Sequence, residues 1–183
     1  MIIIEGPDNS GKSTLVEWIK ENFYVTEVNR RHGTPVDAQD ILQRTELVLD
    51  TEIHSHPRRN FITDRFSLIG ESIYGPILRG KDLWKEIPQD KERLEKTLRI
   101  LNPFVIYCRP DLDTILDLSH HRVKSYDTQE HLSNLAKNQG LIIKAYDNYF
   151  ENNPFPHFYK YNYKRGEEAL NELKNLLGEY LKW

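Results

Sequence analysis

Apolar positions along the chain fall into short β-branched runs that alternate with longer stretches of helical period. Ile2-Ile3-Ile4 has no polar gap, the pattern of a strand buried on both faces. In residues 12–23 the apolar positions Leu15, Ile19 and Phe23 recur every fourth residue, which predicts a helix. Residues 24–29 predict a short second strand. Residues 36–54 predict a helix with Leu42, Thr45, Leu49 and Ile53 on one stripe. Phe61-Ile62-Thr63 predicts a third strand ending at Asp64, followed by a helix over 67–78 that Gly80 breaks. A helix over 88–101 turns Leu94, Leu98 and Leu101 inward. Phe104-Val105-Ile106-Tyr107-Cys108 is a fourth strand, closed by Pro110, and 111–119 begins a short helix. Asp127-Thr128-Gln129-Glu130 has the form of a capping box and opens a long helix with Leu132, Leu135, Ile142, Tyr146 and Phe150 inward. A last strand over 157–161 and a closing helix over 167–182, striped by Leu170, Leu173, Leu177 and Leu181, complete the pattern.

Strands and helices in strict alternation predict an α/β fold: a five-stranded parallel sheet with helices on both faces, in a single domain over 1–183. No internal repeat or long linker interrupts it.

The turn after the first strand carries the chemistry. Gly6-x4-Gly11-Lys12-Ser13 has a glycine, lysine and serine at each fixed position of a phosphate-binding loop, and it sits between a strand and a helix. Glycines let backbone N–H groups converge on a phosphate, and the helix that follows presents its positive end to the same anion. Lys12 supplies a cation for the β- and γ-phosphates, and Ser13 a hydroxyl ligand for Mg²⁺. Gly6, Asn9, Ser10, Gly11, Lys12, Ser13 and Thr14 are therefore the expected contacts of ATP, in a P-loop NTPase three-layer sandwich. Asp64, at the tip of the third strand, is placed to hold Mg²⁺ or its water, and Arg65 to clamp a phosphate.

The segment Glu5-Gly6-Pro7-Asp8-Asn9-Ser10-Gly11-Lys12-Ser13-Thr14, followed by Asp64-Arg65-Phe66, resembles the thymidylate kinases, a group of nucleoside monophosphate kinases. The stretch from Ser67-Leu68-Ile69-Gly70 to Arg79-Gly80 is similar to small, phage-type members. The resemblance implies that Asp8 touches the sugar 3′-hydroxyl of the acceptor, that Asp64 sits near Mg²⁺ and that Arg65 meets the attacking phosphate. It also implies a lid near 119–127, where Arg122 or Lys124 closes over the γ-phosphate, and a homodimer, although no segment carries an interface signature. Lys12, Arg65, Asp64 and Arg122 are the expected catalytic set; Asp8, Arg65, Phe66 and Tyr74 the expected acceptor contacts. Where the family has an Arg-Glu-Pro-Gly-Gly-like stretch, this chain has Arg30-Arg31-His32-Gly33-Thr34-Pro35. Arg44 is the nearest candidate for the family's base-pairing arginine.

Composition narrows the picture. The formal charge is −3, with 28 acidic against 25 basic residues, which argues against a broad nucleic-acid-binding face and for a small free nucleotide as acceptor. Two further readings stay open: a kinase acting on a hydroxyl, of a deoxynucleoside or of a hydroxymethylated pyrimidine in DNA, and a regulatory NTPase. A hydroxyl acceptor needs a base, for which Glu5, Asp8 or Asp64 would serve. The histidines lack metal-ligand spacing, Asp111 and Asp147 read as helix-surface charges, and the single cysteine, Cys108, reads as a core residue. No apolar run approaches a membrane span and no signal-peptide pattern is present, so the expectation is a soluble cytoplasmic protein.

Overall fold

In the computed structural model, residues 1–28, 33–55, 59–119, 129–152 and 155–181 are described. Their strands are β1 (Ile2–Glu5), β2 (Val25–Glu27), β3 (Asn60–Asp64), β4 (Phe104–Cys108) and β5 (His157–Tyr161). They form one sheet in the order β2-β3-β1-β4-β5, with every neighbouring pair parallel. β1 is central, and the pairing of Ile4 with Asp64 and of Glu5 with Tyr107 brings three strand ends to one edge. The outer strands differ from it: β2 has three residues, and β5 alternates between covered and exposed positions.

The isoleucine run of β1 divides two cores. Ile3 joins Val105 and Tyr107 in the larger one, beneath α2 (Ala38–Ile53), α3 (Ser67–Tyr74), α4 (Pro88–Leu101) and α6 (Gln129–Asn152). Ile2 and Ile4 face the other way with Phe104, Ile106 and Cys108, beneath α1 (Lys12–Asn22) and α7 (Glu167–Tyr180). A parallel sheet covered on both faces needs apolar side chains at successive positions, which the unbroken run supplies. The short α5 (Leu112–Ser119) packs against α6.

Several boundaries differ from the sequence expectation. α2 starts at Ala38 because Asp37 is extended and caps it, accepting the Asp40 N–H at 2.8 Å. Ile53 ends that helix and is 49% exposed, so the stripe stops at Leu49. The helix expected to reach residue 78 stops at Tyr74. Pro76 has no N–H for the Ser72 carbonyl, and its ring crowds that position. The chain relaxes instead into a wide turn over Gly75–Arg79, closed by the Gly80 N–H on the Gly75 carbonyl, with Gly80 in the left-handed region. Gly75 sits in a tight place: a Cβ there would lie 2.5 Å from both a Glu71 carboxylate oxygen and the Lys81 carbonyl. Buried Glu71 is ion-paired with Arg79 across the turn.

Gly75→Ala is therefore expected to destabilise the protein by about 1–3 kcal/mol, because the Lys81 backbone must move. Gly70→Ala, one turn earlier with open space around it, should be neutral or stabilising by up to ~1 kcal/mol. Urea unfolding of the two variants checks the contrast; equal midpoints would contradict the packing assigned to the turn.

Candidate functional site

β1 feeds directly into the glycine loop. Gly6 (φ 146°), Asn9 (φ 61°) and Gly11 (φ 85°) take positive φ, which turns successive backbone amides toward one centre. A Cβ on Gly6 would stand 2.5 Å from the Cys108 carbonyl, so only glycine lets the loop pass the end of β4. Lys12 opens α1 and is buried. Its ammonium donates to the Pro7 carbonyl and lies 3.4 Å from Ser10 Oγ. Burial lowers its pKa to about 8, repulsion from Arg65 adds to this, and Asp8 and Asp64 oppose it. A phosphate in the loop would relieve that penalty.

Beside the loop, Ser13 Oγ donates to Asp64 Oδ2 at 3.0 Å, while Asp64 Oδ1 is buried with no hydrogen-bond partner among the described residues. A hydroxyl and a carboxylate oxygen lacking a donor suit a hard cation such as Mg²⁺.

Arg65 follows immediately. It is one of three non-glycine residues with positive φ (68°) among the described residues. Its N–H bonds the Ile4 carbonyl at 2.8 Å, extending the β1–β3 pairing past the end of the strand. The turned backbone swings the guanidinium over the Tyr74 ring, 4.6 Å from its centroid, and onto the Asp8 carboxylate. Burial works against the charge, yet Asp8 foremost, with Tyr74, Tyr146 and Glu5, more than offsets it, and the pKa of Arg65 is raised.

Beneath Arg65 lies Glu5, the last residue of β1, fully buried. One of its oxygens accepts the Phe66 N–H and the other the Tyr146 hydroxyl at 2.8 Å. Burial pushes its pKa up; the Phe66 N–H, Arg65, the Tyr146 hydroxyl and Lys12 pull the other way. With both oxygens engaged, Glu5 is poorly placed to act as a base. Asp8 is the more open carboxylate, with a 36% exposed side chain.

The remaining expected residues are distributed as follows. Tyr74 supports Arg65 and is 9% exposed; Phe66 is packed within the larger core. Arg44 forks onto Asp40 through Nε at 2.9 Å and Nη2 at 2.7 Å, and reaches the Gly33 carbonyl. The lid residues Arg122 and Lys124, the Asp127 cap and the Arg30-Arg31-His32 stretch lie outside the described residues. Asp147 departs from its expected place on a helix surface. It accepts from Arg109 Nε (3.1 Å) and Nη2 (3.0 Å) and from the Tyr107 hydroxyl (3.0 Å), with Lys160 Nζ at 3.5 Å. Arg109 itself continues β4 by donating its N–H to the Tyr161 carbonyl at 2.7 Å. Cys108 is buried as expected, and burial pushes its thiol up to about 12.

On the α1/α7 side of the loop a cavity of about 330 Å³ opens against Asn9, Gly11, Thr14, Trp18, Tyr161 and Tyr163. Sequence reasoning did not single out its aromatic residues. The one available signal was spacing: Trp18 lies four residues after Thr14, hence on the same helical face.

The chain matches no known family model and no curated protein. Solved structures are similar in fold. The YorR protein from Bacillus subtilis, in complex with phosphorylated GDP, has a TM-score of 0.65 at 18% identity, over 100% of this chain and 98% of its own. Deoxyadenosine kinase from M. mycoides with bound dATP has a TM-score of 0.63 at 17% identity, over 97% and 98%. The chain thus has the P-loop kinase fold, and its glycine loop stands at the centre of the carboxyl edge of the sheet.

Asp147→Asn tests the electrostatic character of the second strand end. The Asp147 pKa is lowered: burial raises it, but hydrogen bonds from Arg109 and the charges of Arg109 and Lys160 prevail. A depressed carboxylate contributes stability above its unfolded pKa and loses it as pH falls. The variant should be about 1–2 kcal/mol less stable at neutral pH, with the gap closing in acid below the ordinary aspartate range. Urea midpoints measured at both pH values check this; a gap unchanged by pH would show that charge plays no part.

Proposed function

We propose that this protein is an ATP-dependent phosphotransferase that acts on a small (deoxy)nucleotide, with a nucleoside monophosphate as the leading acceptor. The observation that carries this reading is Arg65, held in a left-handed conformation over Tyr74 and tied to Asp8 at the mouth of the phosphate loop. A preset guanidinium at that position suits an acceptor that brings its own phosphate. The similar folds of proteins crystallised with phosphorylated GDP and with dATP support a nucleotide as ligand.

The donor ATP places its phosphates in the loop of Gly6 to Thr14, where the amides and Lys12 neutralise them. Its base and sugar extend into the cavity beside Gly11, against Trp18 and Tyr163, where aromatic faces offer stacking. Ser13 and Asp64 would hold Mg²⁺, which when bound would supply charge neutralisation for the transferring phosphate. The acceptor enters from the α3/α6 side, so donor and acceptor approach the P-loop from opposite faces of the sheet. Asp8 orients the sugar and Arg65 the attacking phosphate, and positioning with charge neutralisation accounts for the acceleration. A phosphate acceptor needs no proton removed, which agrees with the sealed state of Glu5.

A second reading has one observation in its favour. Asp8 is half-exposed and paired with Arg65 at the mouth of the loop, where its carboxylate would serve as general base for a deoxynucleoside hydroxyl. A panel of nucleosides and nucleoside monophosphates with labelled ATP separates the two, and inclusion of hydroxymethylated DNA tests a polymeric acceptor.

Lys12→Ala should lower kcat by roughly 100-fold or more while circular dichroism shows the fold intact. Asp8→Asn should raise KM for the acceptor more than KM for ATP. If Asp8 is instead the base, kcat for a nucleoside collapses. A folded Lys12→Ala variant with near-normal transfer would defeat the whole assignment.

A further inference from the structure

We infer that Gln139 is a specificity-determining residue whose side-chain amide reads the hydrogen-bonding edge of the acceptor base. This rests on the acceptor side proposed above and extends it to a residue outside the phosphate loop.

The placement follows from α6. Tyr146 stacks on Tyr107 at 5.6 Å and its hydroxyl reaches Glu5, so it stands level with the strand ends. Phe150, one turn on, contacts Tyr107 at 4.8 Å and Phe158 at 5.3 Å, and Phe158 pairs with Val105. From Tyr146 to Phe150 the helix therefore descends alongside the sheet, and toward its N-terminus it rises past the carboxyl edge. Gln139 precedes Tyr146 by seven residues. At about 1.5 Å per residue and about 100° per step, that puts it roughly 10 Å beyond Tyr146 on the same face. It lies on the side of the sheet where Tyr146 meets Tyr74, whose ring carries Arg65. There the wide turn Gly75–Arg79 is joined to α6 by Asn134 Nδ2 on the Leu78 carbonyl at 3.4 Å.

Gln139 is fully buried, and among the described residues neither its amide oxygen nor its amide nitrogen has a hydrogen-bond partner. Tyr74, whose ring carries Arg65, also has a buried hydroxyl without a partner. Unpaired polar groups in an interior are costly, and α6 could have carried leucine at this position on stability grounds alone. Their shared place above the acceptor side of the sheet gives the cost a purpose. An amide presents one acceptor beside one donor, complementary to a base edge in which a donor adjoins an acceptor, such as the amine and ring nitrogen of adenine. An acceptor base meets Gln139 by parting α6 from the wide turn.

The experiment compares wild type, Gln139→Leu and Gln139→Glu. Each is measured for melting temperature without ligand, for calorimetric binding of the four deoxynucleoside monophosphates and four deoxynucleosides, and for kcat/KM in transfer from ATP. Gln139→Leu should melt at or above the wild-type temperature, since it removes an unpaired buried amide. It should lose the wild-type base preference by about 5- to 150-fold, with KM for ATP unchanged. Gln139→Glu, which can only accept when ionised, should shift preference toward guanine, whose N1–H and N2–H are adjacent donors. The base ranking decides. A wild type with no base preference in binding, or a Gln139→Leu variant that keeps the wild-type ranking, overturns the assignment whatever its melting temperature. Absence of transfer by the wild type would defeat the phosphotransferase reading alone, because the binding arm still reports whether Gln139 discriminates among bases.

Discussion

The carboxylate of Glu5 is the joint on which the rest of the site hangs. It ends the central strand in a fully buried position, and its two oxygens fasten two other elements to that strand. The Phe66 N–H fixes the backbone just after β3, and the Tyr146 hydroxyl fixes α6 over the sheet. Arg65 lies between these attachments. With Phe66 anchored behind it and its own N–H on Ile4 in front, Arg65 has little choice but the left-handed turn that aims its guanidinium at Asp8. A buried carboxylate is costly to desolvate, and it persists when its hydrogen-bonding capacity is met. Here both oxygens are occupied in holding that geometry, and Asp8 is the more open carboxylate.

The architecture also separates two tasks. α1, α7 and the end of β5 enclose the aromatic cavity on one side of the sheet. α3, the wide turn and α6 enclose the other side. The glycine loop and the Asp64–Ser13 pair lie between the two sides. On the reading proposed above, two bulky nucleotides would meet only through their phosphates, at the glycine loop.

The backbone layout was legible because its signals are local. β1 and β4 are unbroken apolar runs, the loop glycines follow a fixed spacing, and the helical stripes of α4 and α7 repeat cleanly. Asp64 and Arg65 could be read from their position after a strand. What escaped was the set of polar residues that α6 carries inward. Tyr146 looked like one more apolar position, Asp147 like a surface charge, and Gln139 carried no signal at all, because a polar residue in a helix is exposed unless tertiary packing covers it. The stop of α3 was missed for a related reason. Gly80 drew attention as the breaker, whereas Pro76 had already ended the regular helix, and the wide turn conceals that interruption within a continuous coil.

The unequal strands of the sheet bear on how the molecule behaves among its copies. Unpaired backbone groups on an outermost strand invite another chain to continue the ladder. Here β2 offers three residues and ends on Glu27, which Lys20 holds at 2.9 Å, while β5 carries Lys160 outward beside Asp147. A foreign strand approaching either margin meets a fixed charge that it must desolvate, and at β2 a short run of amides besides. The fully buried strands β1 and β4 are kept in the middle, which disfavours lateral growth of the sheet at its borders.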